Sequence, residues 1–201
     1  MKRIECLRAL APLVTDDDLV IVSLGGTGLE WNAVRPGDNN LFLVAMGCNT
    51  PVALGLALAL KHRRIVLLET DGSLLLTLGA LATVGNVAPD NLRIFVMDNQ
   101  GYERVRHDIS ATRGKTDLAA IARGCGIANA STVRTPLEFA ESAKEAMNGK
   151  GLSFVVAKVE SGIADVAPRP GDGIEDKFRF VRYVEKLENK AILASYRAKL
   201  D

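Results

Sequence analysis

Two stretches of the chain, Leu19-Val20-Ile21-Val22 and Ile65-Val66-Leu67-Leu68, are apolar at every position, and 92–97 is apolar but for Arg93. A strand with one wet face alternates apolar and polar residues, whereas an unbroken run is buried on both faces. Each run is separated from the next by residues of helical spacing. Ile4, Leu7, Leu10, Ala11 and Val14 open the chain with that spacing, and helices are predicted over about 51–62, 73–84, 117–125 and 136–147, with a helical tail from about 175. Further strands are predicted at 41–45, 127–130 and 153–159, and 98–115 reads as irregular. Strands alternating with helices predict an α/β fold: a three-layer, doubly wound, mostly parallel sheet with helices on both faces. At 201 residues the chain is read as one domain.

Composition narrows the function. Twenty-five Lys and Arg stand against 24 Asp and Glu, for a net charge of +1, which leaves no electrostatic footprint for a nucleic-acid backbone or an anionic membrane. Residues 41–60 carry no charge, but Gly47-Cys48-Asn49-Thr50-Pro51 interrupts them, so they read as a strand and a helix rather than a membrane span. The opening Met-Lys-Arg-Ile-Glu-Cys lacks the apolar core of a secretion signal. Cys6, Cys48 and Cys125 lie far apart with no CxxC pair, so neither a zinc site nor a disulfide framework is expected, and a reducing, cytoplasmic setting is. The run 61–64, Lys-His-Arg-Arg, reads as a helix C-terminus favoured by the helix dipole.

In a parallel sheet ligands sit beyond the carboxyl ends of the strands. There, Ile65-Val66-Leu67-Leu68 runs into Glu69-Thr70-Asp71-Gly72-Ser73, and 92–97 runs into Asp98-Asn99-Gln100-Gly101-Tyr102. Each end delivers an acid or amide beside a glycine. Asp71 precedes Gly72 and Ser73 at a helix start, where unpaired N–H groups can receive a phosphate. Asp71, Asn99 and the Gly101 carbonyl offer the hard oxygen ligands that Mg²⁺ accepts, leaving positions for phosphate oxygens and water. The ligand implied is a diphosphate with its metal. Glu69, expensive as a second buried carboxylate beside Asp71, is expected to face solvent or a basic partner. Gly25-Gly26-Thr27-Gly28 reads as a glycine loop that fails both the dinucleotide and the P-loop patterns.

Thr70-Asp71-Gly72-Ser73 followed by Asp98-Asn99 resembles the cofactor motif of thiamine-diphosphate-dependent enzymes, which opens Gly-Asp-Gly and closes Asn-Asn. Thr70 and Asp98 depart from it, while the two metal positions, Asp71 and Asn99, are kept. Val44-Ala45-Met46-Gly47, with Pro51, Ala53, Gly55 and Ala57, is similar to the segment that meets the cofactor's aminopyrimidine. The resemblance, which spans roughly 19–159, implies thiamine diphosphate and Mg²⁺ as cofactors. It further implies Met46 as the apolar wedge that bends the cofactor and Val44 as the carbonyl that holds its amino group. Gly26 and Thr27 would contact the diphosphate, and Gly72, Ser73, Gly101 and Tyr102 would complete the cofactor site.

Catalysis in this family also requires a Glu from a pyrimidine-binding domain, for which 201 residues leave no room. The resemblance therefore implies half an enzyme: the pyrophosphate-binding subunit of a heteromeric 2-oxo acid decarboxylase, whose partner subunit supplies that Glu. Its implied substrate is an anionic 2-oxo acid such as sulfopyruvate or phosphonopyruvate. Arg104, Arg106, His107 and Arg113 are candidate cations for that anion, and His107 is also a candidate proton relay. An acetolactate synthase-like or oxidoreductase half, or a noncatalytic cofactor-binding module, is the competing reading; the cysteine spacing of an iron–sulfur oxidoreductase is absent.

Overall fold

A computed structural model describes residues 1–43, 45–103, 108–169 and 173–193. Its centre is a six-stranded, wholly parallel sheet, built from β1 (Leu19–Val22), β2 (Asn40–Phe42), β3 (Ile65–Thr70), β4 (Leu92–Asp98), β7 (Ala130–Val133) and β8 (Ser153–Lys158), in the order β2-β1-β3-β4-β8-β7. The small hairpin of β5 (Gly101–Tyr102) and β6 (Asp108–Ile109) stands outside it. Register is tight across the middle: Val22 lies opposite Leu68, Thr70 opposite Met97 and Asp98 opposite Lys158. The period-two geometry of a strand sends successive residues to opposite faces. Thus Leu67, Ile94, Val96 and Phe154 meet one layer of helices, while Leu68, Phe95, Met97 and Val155 meet the other.

The first layer holds α3 (Asn49–Ala59), α4 (Asp71–Leu76), α5 (Ala80–Val87), α6 (Leu118–Gly124) and α8 (Gly173–Glu188), which contribute Ala53, Leu74, Val84, Ala122 and Phe180 to its core. The second holds α1 (Arg3–Leu10), α2 (Gly26–Val34) and α7 (Pro136–Asn148), through Leu7, Trp31 and Phe139 among others. The expected fold class is therefore met, and the tail helix expected from about 175 is α8.

Several boundaries differ from expectation for identifiable reasons. The helix expected over 73–84 is two helices: Thr77 has non-helical backbone and Gly79 starts the second. Gly25-Gly26-Thr27-Gly28 is not a loop but the start of α2, with Gly25 as its N-cap at φ +81°. The strand expected at 127–130 lies at Ala130–Val133, and the irregular 98–115 contains the β5–β6 hairpin. Helix α3 ends at Ala59, so 61–64 is a turn rather than a helix end. Its arginines serve tertiary pairs instead: Arg63 donates to Glu188 of α8 at 2.7 Å and Arg64 to Asp18 at 2.7 Å. Among the described residues no helix is long and apolar enough to cross a membrane.

Candidate cofactor site

The carboxyl ends of β1, β3 and β4 adjoin at the middle of the sheet, so the loops that leave them share one crevice. Gly26, Met46, Gly72, Asn99, Gly101 and Tyr102, all expected at the site, line a single cleft there, together with Thr70. The Tyr102 ring packs on Gly72, where a Cβ would come within 2.6 Å of it. A side chain at position 72 would displace the ring.

Asp71 is fully buried. Its Oδ2 accepts from Ser110 Oγ at 2.5 Å and lies 3.2 Å from Thr112 Oγ1. Its Oδ1 has no partner among the described residues. An unpaired carboxylate oxygen away from water is costly, and burial, reinforced by the nearby charge of Asp98 against the hydrogen bond from Ser110, pushes the Asp71 carboxyl up to about 6. A hard cation would relieve both the desolvation and the repulsion. Asn99 Oδ1 accepts from Gly101 N at 3.2 Å, closing the turn that presents both residues to the cleft. Among the described residues no three acidic, histidine or cysteine side chains converge, so Asp71 would be the cation's charged protein ligand, with oxygen from Asn99, Gly101 and a bound anion completing its shell. The donor set fits Mg²⁺ and does not suit a soft metal.

The two departures from the motif are locally accommodated. Thr70 has extended backbone, φ −121° and ψ 153°, so no glycine is needed there, and its hydroxyl caps α4 by accepting from Ser73 N. Asp98, where the motif has Asn, receives the Lys158 ammonium at 2.5 Å and the Thr112 hydroxyl at 2.7 Å. Facing strand ends thus carry the compensation, since Asp98 and Lys158 are register partners.

Other expectations are corrected. Glu69 does not face solvent or a basic group; it is fully buried and accepts from Asn49 Nδ2 at 2.8 Å, Thr50 Oγ1 at 3.2 Å and its neighbour's Thr70 N at 3.0 Å. Burial raises its pKa against these hydrogen bonds. The Ser73 side chain does not line the cleft: its Oγ accepts from Gly47 N at 3.0 Å. Thr27 is likewise buried within α2 outside the cleft lining, its hydroxyl without a partner among the described residues. Arg113 lines a separate cleft with Lys115, Arg134 and Lys158. Val44, Arg104, Arg106 and His107 lie outside the described residues.

Sequence reading missed Arg3 and Glu103, which line the same cleft. Arg3 is nearly buried, paired to Glu30 at 3.1 Å and to Glu103 at 3.3 Å, and it donates to Gly162 O at 2.8 Å. It also missed Ser110 and Thr112. No local pattern signals contacts between residues so far apart in the chain, although the acid–base pair at facing strand ends could have been sought once the sheet order was known.

Residues 32–157 match the family described as thiamine pyrophosphate enzyme, C-terminal TPP binding domain. Over 185 residues the chain is 32% identical to the sulfopyruvate decarboxylase subunit beta of Methanothermobacter thermautotrophicus, covering 92% of this chain and 96% of that one. It is 30% identical over 169 residues to the phosphonopyruvate decarboxylase of Streptomyces viridochromogenes, covering 84% of this chain but 42% of that longer protein. The solved benzoylformate decarboxylase of Polynucleobacter necessarius superposes with a TM-score of 0.67 at 17% identity, over 82% of this chain and 34% of its own, and so shares the fold. The chain belongs to the thiamine pyrophosphate enzymes, in the family of the sulfopyruvate decarboxylase beta subunits. Its activity class is that of a thiamine-diphosphate-dependent decarboxylase, a carboxy-lyase.

Proposed function

We propose that this chain is the pyrophosphate-binding subunit of a heteromeric decarboxylase acting on an anionic 2-oxo acid such as sulfopyruvate or phosphonopyruvate. In this reading Asp71, Asn99 and the Gly101 carbonyl hold Mg²⁺ against the cofactor's diphosphate. Gly26, Gly72 and Tyr102 form the walls that receive it, and Met46 sets its conformation. Thiamine diphosphate, when bound, supplies the electron sink for the pair left as CO₂ departs. The protein's own share is placement and electrostatics. The pyrimidine-binding domain and its Glu come from a partner subunit. Substrate contacts by Arg104 and Arg106 and proton relay by His107 belong to the same proposal.

The observation that carries the reading is the orphaned, buried Oδ1 of Asp71, whose chain neighbours Thr70 and Gly72 line the same cleft as Asn99 and Gly101. Relatives named as beta subunits support the heteromer. A cytoplasmic location belongs to the same proposal, on the three widely separated cysteines of the sequence. For the competing reading of a noncatalytic module the sequence offers Thr70 in place of the motif's first glycine, and the extended backbone at position 70 gives that reading no support.

Native mass spectrometry of the complex purified from its own cells tests the proposal. A second chain with bound thiamine diphosphate and Mg²⁺ is expected. Asp71→Ala should keep the partner and an unchanged circular dichroism spectrum while losing both cofactors. A variant that retains cofactor and activity removes Asp71 from the metal site.

A further inference from the structure

A buried network joins the Met46 turn to the helix that follows Asp71. Gly47 has φ +79°, which L side chains rarely adopt. Both of its peptide groups are tied to one neighbouring segment. Gly47 N donates to Ser73 Oγ at 3.0 Å, and Gly47 O accepts from Thr77 Oγ1 at 2.8 Å. Ser73 Oγ is in turn held by Asn49 Nδ2 at 3.1 Å, and Asn49 Nδ2 donates to Glu69 Oε1 at 2.8 Å. Asn49, Glu69 and Ser73 are all fully buried.

Among the described residues no cation faces Glu69; its donors are neutral amides, hydroxyls and one backbone N–H. Burying a carboxylate this way is costly, and apolar side chains would pack the space more cheaply. The network is paired at every member but Asn49 Oδ1, which has no partner among the described residues, and directional hydrogen bonds do something apolar packing does not: they favour one geometry. The geometry fixed here is that of the turn carrying Met46, which lines the cofactor cleft.

We infer that Glu69, Asn49, Ser73 and Thr77 form a positioning unit that locks the Met46–Gly47 turn to the metal-bearing strand end. Met46 and Asp71 are thereby held at a fixed separation, so the apolar contact and the metal act on one ligand in register. This inference rests on the reading of Met46 as the residue that sets cofactor conformation. None of the four need touch the cofactor.

The test uses the assembled complex with thiamine diphosphate and Mg²⁺. Thr77→Val removes the hydroxyl at nearly constant volume. It should lower kcat about tenfold and shift the thiamine diphosphate Kd less than about threefold. Amide exchange in 46–48, measured without cofactor, should accelerate at least about tenfold, since the turn's anchor is gone. Thr77→Ser should restore all three. Combined with Met46→Ala, Thr77→Val should lower kcat no further than Met46→Ala alone, because the two act through one contact. Full additivity would overturn the inference. If Met46→Ala by itself leaves kcat unchanged, the reading of Met46 fails, and the inference goes with it. If Met46→Ala lowers kcat while Thr77→Val changes neither exchange nor kcat, the inference alone is refuted and the reading of Met46 stands.

Discussion

Single residues decide how far a motif can drift without losing its purpose. At position 70 extended backbone makes glycine unnecessary, and the threonine adds a cap to α4. Thr70→Ala should therefore cost about 1 kcal/mol, the ordinary value of an N-cap, read from urea denaturation, while thiamine diphosphate affinity holds. Asp98 poses a different problem, because a carboxylate with no exposed surface needs a partner. Lys158→Met should destabilise by about 3 kcal/mol, at the low end for breaking a buried pair, since Lys158 keeps 18% exposure. Adding Asp98→Asn to it should recover most of the loss. If the double variant is no more stable than Lys158→Met, the pair is not what stabilises Asp98.

At the scale of elements, helix ends are closed by groups brought from elsewhere. Helix α7 begins with a capping box in which Thr135 Oγ1 accepts from Glu138 N and Glu138 reaches back to the N–H of Thr135. Its other end is closed by Arg93 from the start of β4, which donates to the carbonyls of Ala146 at 2.6 Å, Gly149 at 2.8 Å and Gly151 at 2.6 Å. This explains the one charged residue in the otherwise apolar run 92–97. Buried carbonyls left without donors cost about 1–3 kcal/mol each. Arg93→Met should thus lower stability by several times the roughly 1 kcal/mol expected for Thr135→Ala, with thermal unfolding as the measure. Equal losses would mean that solvent reaches those carbonyls.

For the molecule as a whole, the site lies where three strand ends and the loop after β2 meet, so ligand binding and folding are linked. With Mg²⁺ held at Asp71 as proposed, chelating it from the cofactor-loaded complex should lower the unfolding temperature, and returning it at about 100 times its Kd should restore about 2.7 kcal/mol. A stability indifferent to chelation would place the metal elsewhere. The sequence by itself determined the layer architecture, because short unbroken apolar runs that alternate with segments of helical spacing fit parallel strands covered by helices on both faces. It also determined which strand ends carry Asp71 and Asn99, since a motif is local and its spacing survives folding. Boundaries such as the break at Thr77 and the early start of α2 were less legible, because they turn on single backbone conformations that several residue types allow. Only the tertiary structure decided the surroundings of those two residues. Glu69 looked too expensive to bury, yet it is buried, because Asn49 and Thr50 arrive from another helix to satisfy it. Arg3, Ser110, Thr112 and Lys158 come from distant parts of the chain to pair with Glu103, Asp71 and Asp98, and the price of burying a charge depends on partners that sequence distance conceals.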